Sequence, residues 1–277
     1  MAPSRSLKSF RLLSFDIYGT LIDWEAGILS SLQPLVDRLD DSHPLKSNLI
    51  ALGAEFNKHE REIQGNTPGL SYNLVLKECY KRFAKAVGAT PTSVHGGTSS
   101  EQLLEDEGTA FAENSGSWPA FTDTVAAMRR LKSKGYKLVP LSNIDRVSFS
   151  KTLNGPLAGL HDGMAADQPF FDAVYTAQDI GSYKPDLANF EYLISHVKVE
   201  FGVDKDDILH VAQSLHHDHE PAKKMGLHSA WIARGEGGVT GMGGDVAEYV
   251  GKTDKVAFGW KFDDLKALAD AIDQEEV

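Results

Sequence analysis

The nine residues Leu13–Leu21 read LSFDIYGTL, and they predict the fold of this 277-residue chain. An apolar run ends at Asp16 and a glycine turn follows, so Asp16 is expected at the carboxyl end of a buried strand. Open α/β sheets bind their ligands at that end of their strands. Asp16 there can be a nucleophile, a metal ligand or a cap of the turn. Tyr18 weakens the metal interpretation, because a phenol is a poor ligand for a hard cation.

Other short apolar runs predict further strands of the same sheet. The expected strands are Leu12–Phe15, Lys137–Leu141, Ala173–Tyr175, Ile208–Ala212 and Ser229–Ile232. Amphipathic helical patterns lie between them, such as the one through Phe190, Leu193 and Val197. This alternation predicts an α/β fold with a doubly wound parallel sheet, a Rossmann-like core with helices on both faces.

Residues 24–118 interrupt the alternation with helical patterns such as Leu76, Tyr80 and Phe83, and with no convincing strand. They predict an all-helical cap domain inserted after the first strand, above the ligand edge of the sheet. The expected domains are therefore residues 1–23 and 119–277 for the core and 24–118 for the cap. Loops are expected at Gly65–Gly69, His95–Ser100, Asn154–Gln168 and Gly235–Gly244. The last one fits neither dinucleotide-binding nor P-loop spacing.

The composition is that of an ordinary soluble globular protein, with 42% hydrophobic and 24% charged residues. The net charge of −11 argues against nucleic-acid and anionic-membrane partners, which require a basic face. A small anionic substrate is still compatible with this net charge, since a single pocket can have a positive electrostatic potential in an acidic protein. We find no secretory signal and no membrane span, and we expect a cytoplasmic monomer or homodimer. The single cysteine, Cys79, is predicted to be a buried core thiol.

Polar residues follow four of the apolar segments, where parallel strands converge on one crevice. Each has a simple structural explanation as a turn, a cap or an exposed loop. Taken together and in this order, they predict an active site. They are Asp16 with Thr20, Ser142 with Asn143, Lys184, and Asp218.

With these residues the chain resembles the haloacid dehalogenase superfamily in all four of its motifs. The motifs are Asp16–Thr20 (DIYGT), Leu141–Asn143 (LSN), Tyr183–Asp186 (YKPD) and Val211–Asp218 (VAQSLHHD). The resemblance covers the core, and the helical insert matches the cap placement of the family. It implies a hydrolase with an aspartate nucleophile.

Phosphatases of this superfamily hold magnesium with Asp-x-Asp in the first motif and an acidic pair in the fourth. Tyr18 and Gln213 replace two of those acids here, which leaves too little negative charge for the cation. The Asp-x-Tyr-Gly-Thr form resembles instead the metal-independent 2-haloacid dehalogenases. That resemblance implies no cofactor and no metal. It also implies that halide is displaced from a small 2-haloalkanoic acid through an aspartyl ester, giving a 2-hydroxy acid.

Four residues are expected to carry the chemistry. Asp16 would attack the carbon that bears the halogen, and water would then hydrolyse the ester. Lys184 would keep Asp16 ionised by lowering its pKa. Thr20 would orient the nucleophile. Asp218 would hold Lys184 or position the hydrolytic water.

A second group of residues is expected to bind the substrate carboxylate. Ser142 and Asn143 would form an anion cradle with the N–H groups of the following helix start. The backbone amides of Ile17 and Tyr18 would add to it, and Ser214 is also assigned to substrate binding.

Two departures from the dehalogenase pattern leave alternatives open. An arginine is expected early in the cap, and only His59 or Arg61 can replace it; a surface helix face with mixed charges is the simpler interpretation. The fourth motif has a spacing closer to that of the phosphatases. Three further readings therefore stand: the same attack on azetidine-2-carboxylate, a phosphatase with an altered metal site, and a non-catalytic carboxylate-binding protein.

The histidines of the fourth motif invite a zinc hypothesis. His216, His217 and His219 lie too close together in one loop to face the same ion, so pocket-lining roles are favoured. One of them beside Asp218 is a candidate base for ester hydrolysis.

Overall fold

A computed structural model of the chain describes residues 5–92, 98–165, 167–234, 246–251 and 253–275. Within these residues, six strands form one sheet in the order β3-β2-β1-β4-β5-β6, and every pair is parallel. The strands are β1 (Leu12–Phe15), β2 (Lys137–Ser142), β3 (Tyr175–Thr176), β4 (Ile208–Ala212), β5 (His228–Ile232) and β6 (Trp260–Phe262). The winding direction reverses at β1, which places the ligand crevice at its carboxyl end.

Four helices are inserted between β1 and the rest of the core. These helices, called the cap below, are α1 (Trp24–Val36), α2 (Leu49–Asn66), α3 (Tyr72–Ala86) and α4 (Ser100–Asn114). The core helices are α5 (Thr124–Ser133), α6 (Arg146–Asn154), α7 (Ala177–Ile180), α8 (Leu187–Phe201), α9 (Glu220–Met225), α10 (Val246–Tyr249) and α11 (Leu265–Gln274). The predicted α/β fold with a helical insertion is confirmed. Its division into domains at residues 23/24 and 118/119 stays a prediction.

Apolar side chains cover both faces of the sheet. In β1, Leu13 and Phe15 pack on the face shared with the cap, α5 and α11, whereas Leu12 packs on the face shared with α8. All four residues of β1 are buried. A strand buried on both faces is uniformly apolar rather than alternating, which explains the run that precedes Asp16.

Strand boundaries match the sequence prediction to within two residues. β1 and β4 match it, while β2 extends to Ser142 and β5 begins at His228. The predicted third strand, Ala173–Tyr175, is shifted to Tyr175–Thr176 because its pairing with β2 begins at Tyr175. β6 was not predicted, since its three residues include the exposed Lys261 and form no apolar run.

Two of the predicted loops contain helical structure. Gly65 lies inside α2, and the Asn154–Gln168 segment includes a 3₁₀ turn at Ala158–His161 that buries Leu160. The predicted loop Gly235–Gly244 lies outside the described residues, as do residues 95–97 of the loop predicted at His95–Ser100.

Cys79 is buried in the cap, as predicted. Among the described residues, no helix has both the length and the apolar character needed to cross a membrane.

Candidate active site

Seven of the nine predicted site residues line one cavity between the cap and the carboxyl ends of the central strands, and Ile17 and Thr20 are not among its lining residues. The cavity has about 580 Å³ of unoccupied space, including solvent space at its mouth. Its walls combine core residues from the four motifs with residues of α1, α2 and α3. The lining residues are Asp16, Tyr18, Trp24, Asn57, Glu60, Arg61, Gln64, Tyr72, Ser142, Asn143, Ile144, Lys184, Gln213, Ser214, His217 and Asp218.

Asp16 lies at the floor of this cavity and is 6% exposed. Its Oδ2 accepts a hydrogen bond from the Thr20 hydroxyl at 2.8 Å, and its Oδ1 accepts one from Lys184 Nζ at 2.9 Å. The turn between Asp16 and Thr20 needs the positive φ of Gly19, +95°, which favours glycine. The Gln213 backbone N–H donates to the Thr20 hydroxyl at 2.9 Å and so ties this turn to the end of β4. The carboxylate is therefore held by one donor at each oxygen.

Lys184 is buried and uses all three protons of its ammonium group. Besides Asp16, Nζ donates to Asp218 Oδ1 at 2.7 Å and to the carbonyl of Leu141 at 2.9 Å. The Asn143 side chain holds the backbone of Lys184: its Oδ1 accepts from Lys184 N at 2.7 Å and its Nδ2 donates to Lys184 O at 3.0 Å. The side chain of Asn143 thus fixes Lys184, and its backbone N–H remains for a ligand.

The two carboxylates share Lys184 unequally. Burial raises the pKa of Asp16, and Lys184 only partly opposes that rise, which Asp218 also increases. Burial acts in the same direction on Asp218, but Lys184 and His210 outweigh it and hold that pKa well below its usual range. Burial lowers the pKa of Lys184, yet the two carboxylates outweigh it and raise that pKa. Lys184 lowers the pKa of Asp16, as expected, but burial outweighs it and the net shift is upward.

His210, in the middle of β4, completes the buried network and was missed in the sequence. It is fully buried, and its Nε2 lies 2.8 Å from Asp218 Oδ1. Its Nδ1 lies 3.2 Å from the Ser14 hydroxyl on β1. A donor from the sheet therefore orients Asp218 toward Lys184.

Backbone N–H groups at two strand ends are available to an anion. No hydrogen bond within the described residues uses the N–H of Ile17, Tyr18 or Asn143. The predicted helix start contributes less than expected, since Ser148 N donates to Asp145 and Arg146 N to Gln178. The cradle that the structure offers is formed by the loops rather than by the N-terminus of α6.

The turn that carries Asp218 begins at Ser214. The Ser214 hydroxyl accepts from the backbone N–H of His217 at 3.0 Å and lies 3.2 Å from its Nδ1. Burial lowers the pKa of His217 to about 3, so the imidazole is neutral and weakly basic at physiological pH. This weakens the hypothesis of a histidine base. His216 and His219 bond elsewhere, to Tyr249 and to Ala212 with Ser229.

Helix α2 forms the cap wall of the cavity. It contributes the buried polar residues Asn57 and Glu60, together with Arg61, which is exposed and lies at the cavity. Burial raises the pKa of Glu60 to about 7 against the opposing effects of Tyr72 and Arg61. Of the two candidates for the cap cation, Arg61 lines the cavity, whereas His59 packs against Phe83 in the interior of the cap.

The donor set does not suit the magnesium ion of the related phosphatases. Burial raises the pKa of Tyr18, and its hydroxyl lies 2.8 Å from the Thr152 hydroxyl. Gln213 supplies an amide where a second acid of the fourth motif would stand. Among the described residues, no three of His, Cys, Asp and Glu are grouped so as to hold a metal. We therefore derive no step through a metal ion.

The amino-acid sequence matches a known protein family. The family model of haloacid dehalogenase-like hydrolases matches residues 10–226. Haloacid dehalogenase-like hydrolase domain-containing protein 3 of Bos taurus is 30% identical over 133 residues, which are 48% of this chain and 45% of that protein. Glyceraldehyde 3-phosphate phosphatase of Methanocaldococcus jannaschii is 26% identical over 116 residues, 42% and 45% of the two chains. The chain thus matches less than half the length of these curated relatives.

Solved structures share the fold over nearly the whole chain. A dehalogenase in an intermediate complex aligns with a TM-score of 0.70 at 18% identity, covering 96% of this chain and 99% of that one. An L-2-haloacid dehalogenase from Xanthobacter autotrophicus with chloropropionic acid covalently bound gives 0.68 at 17% identity, covering 96% and 100%. A hydrolase from Bacillus subtilis bound to magnesium gives 0.64 at 18%, covering 95% and 99%.

At these identities the structural likeness shows the fold alone, and the family model carries the assignment. That model spans most of the chain, from the residues before β1 to the end of α9. This protein belongs to the haloacid dehalogenase-like hydrolases.

Proposed function

We propose that this protein is a hydrolase of the 2-haloacid dehalogenase type. Asp16 attacks C2 of a small 2-substituted carboxylic acid, and the product is a 2-hydroxy acid. In a 2-haloalkanoic acid, the group that is displaced is halide. The observation that carries the proposal is the setting of Asp16: a buried carboxylate between Thr20 and Lys184, facing a cavity, with Tyr18 where a metal-binding acid would stand.

In the first step an oxygen of Asp16 forms a bond to C2 from the side opposite the leaving group. The C2–halogen bond breaks and its electron pair leaves with the halide. Burial strips solvent from the carboxylate and makes it a stronger nucleophile, and its two hydrogen bonds align it. The substrate carboxylate lies against the N–H groups of Ile17, Tyr18 and Asn143, with Ser142 and Ser214 beside it.

In the second step water attacks the carbonyl carbon of the aspartyl ester, which releases the 2-hydroxy acid and regenerates Asp16. Asp218 holds Lys184 beside the ester through both steps. Its Oδ2 is buried without a hydrogen-bond partner among the described residues, which leaves an acceptor to position that water beside the ester. No cofactor is required.

Single-turnover labelling tests the nucleophile. With enzyme in excess over (S)-2-chloropropionate in heavy-oxygen water, we expect an unlabelled first product and one heavy oxygen in the peptide that contains Asp16. Label that enters the product directly from water, with that peptide unlabelled, would overturn the proposal. The Asp16→Asn variant should release no halide.

The phosphatase alternative rests on the relative from Methanocaldococcus jannaschii. It requires magnesium-dependent turnover of p-nitrophenyl phosphate that a chelator abolishes. We expect halide release to be unchanged by EDTA, and phosphate release to stay at the level of the Asp16→Asn variant.

A further inference from the structure

Two buried polar side chains of the cap wall have no part in the chemistry above. Asn57 and Glu60 are 4% and 7% exposed, and both line the cavity opposite the strand ends. They lie on the buried face of α2, whose other large residues there, such as Phe56 and Ile63, are apolar. Polar groups on the inner face of a helix need partners, because burying them without hydrogen bonds costs free energy.

The protein itself supplies few of those partners. The Asn57 side chain makes no hydrogen bond to any described residue, although it is almost fully buried and borders the cavity. Glu60 accepts from Gln64 Nε2 at 3.2 Å, and Tyr72 lowers its pKa against the effect of burial. Among the described residues, no ion pair neutralises it. An amide without a hydrogen-bond partner and a carboxyl group without an ion partner therefore face the same space as Asp16.

Resting on the attack by Asp16 proposed above, we propose that Asn57 and Glu60 form a subsite for a protonated amino group. The substrate is then a 2-substituted carboxylic acid that carries a cationic nitrogen on the side facing the cap, in addition to the carboxylate held at the strand ends.

Charge and hydrogen bonding favour this ligand over the alternatives. An apolar substrate tail would leave the Asn57 amide without a hydrogen-bond partner and Glu60 without an ion partner, which is costly. A second carboxylate would be repelled by Glu60 and Asp16. An ammonium group donates to both the Asn57 oxygen and the Glu60 carboxylate. Burial brings the pKa of Glu60 to about 7, and an ammonium beside it favours the ionised form.

A matched pair of ligands tests the subsite. Azetidine-2-carboxylate and cyclobutanecarboxylate share a four-membered ring and a carboxylate, and differ in an NH₂⁺ group against a CH₂ group. Their binding to the Asp16→Asn variant is measured by calorimetry, so that no turnover is needed. We expect the ammonium ligand to bind about tenfold more tightly or better.

The preference should depend on Glu60. In the Asp16→Asn/Glu60→Gln double variant, we expect the affinity ratio to fall to about one, since a neutral amide cannot pair with the ammonium. In Asp16→Asn/Asn57→Leu, the cyclobutane ligand should gain and the azetidine ligand should lose affinity. Glu55→Gln, which removes the same charge from a half-exposed position of α2, should preserve the preference. Thermal melts establish that each variant is folded.

Equal affinities, no measurable binding of azetidine-2-carboxylate, or a preference that survives Glu60→Gln would each overturn the subsite. These results do not depend on the identity of the nucleophile. If labelling assigns the chemistry to solvent while the Glu60-dependent preference holds, the mechanism fails and the subsite stands.

Discussion

At the scale of single residues, the site is organised by one ammonium group between two carboxylates. Asp218 has the shorter contact with Lys184, 2.7 Å against 2.9 Å for Asp16, and His210 as a further partner. Asp218 is therefore the stabilised anion, and Asp16 is ionised at a cost. That inequality suits a division in which Asp218 holds the lysine and Asp16 reacts.

Replacing Asp218 and replacing Asp16 should change the free energy of unfolding in opposite directions. The pKa of Asp218 is lower in the folded state, so its contribution is present above the unfolded value of about 3.9 and is lost as the pH falls through the folded value. The pKa of Asp16 is raised, so its ionisation above the unfolded value opposes folding.

At pH 7 we therefore expect Asp218→Asn to lower the free energy of unfolding by about 3–5 kcal/mol, because a buried partner of Lys184 is removed. Asp16→Asn should raise the free energy of unfolding by about 1 kcal/mol, because the cost of burying an ionised Asp16 is removed. Urea unfolding of both variants measures the effects. A destabilised Asp16→Asn variant would contradict the assignment of the two pKa directions.

The raised pKa of Asp16 also predicts a pH profile. Only the carboxylate is a nucleophile, so kcat/KM should fall as the pH drops through a value above the usual aspartate pKa of about 4. Glu60 titrates near 7 in the same cavity, and burial keeps His217 neutral above about pH 3. The acidic limb should persist in Glu60→Gln. Its disappearance there would assign the limb to Glu60 instead.

The site residues that could be predicted from the sequence differ from those that were missed in the sequence pattern around them. Asp16, Lys184 and Asp218 follow apolar runs at motif spacing, so their convergence could be predicted. His210 is a single polar residue inside the run ILHVA, and Glu60 lies in a helix rich in charged residues. Neither pattern indicates that the residue is buried in the site of Asp16, because tertiary packing alone decides that.

At the scale of elements, the turn after β1 is braced from the end of β5. Arg234 has the unusual φ of +52°, and its guanidinium donates twice to the carbonyl of Thr20, at 2.5 and 3.0 Å. It also pairs with Asp123 at 2.6 Å, with both side chains largely buried, and stacks on Phe121 at 3.9 Å. This contact connects β5, α5 and the turn that carries Asp16.

Arg234→Met should therefore damage both stability and catalysis. It keeps the bulk but leaves Asp123 buried without its ion partner, at a cost of about 3–5 kcal/mol. Release of the Thr20 carbonyl should misplace Asp16 and lower kcat about 100-fold. In Arg234→Met/Asp123→Asn, stability should partly recover while kcat stays low. Recovery of both would show that the turn is placed without Arg234.

Elements with long apolar or periodic patterns were predictable, and short ones were not. β1 and β4 match their predicted bounds because their runs are buried along the whole strand. β6 is an edge strand of three residues, held by pairing with β5 rather than by its own pattern. At the start of α5, the Asp123 side chain bonds Arg234 and Leu265 N and does not cap the helix.

At the scale of the whole molecule, the excess of acidic residues works against an anionic substrate. The chain has 39 acidic and 28 basic residues, so the overall field repels a carboxylate. Arg61 is a local exception: it lines both the cavity at Asp16 and the neighbouring groove beside Lys184 and Pro185. Within the described part of the chain it forms no ion pair, so its charge is available at the entrance.

We therefore expect Arg61→Gln to lower kcat/KM for (S)-2-chloropropionate about tenfold at low ionic strength. The change should be mainly in KM, because the substitution weakens substrate binding and leaves the chemical step unchanged. In 0.5 M salt the difference should shrink, since the Debye length there is only about 4 Å. Lys58→Gln removes the same charge from an exposed position of α2 and should have little effect. Equal effects of the two variants would mean that net charge matters and that Arg61 has no particular place in substrate capture. An effect on kcat alone would instead place Arg61 at the reacting atoms, closer to the nucleophile than its exposed position indicates.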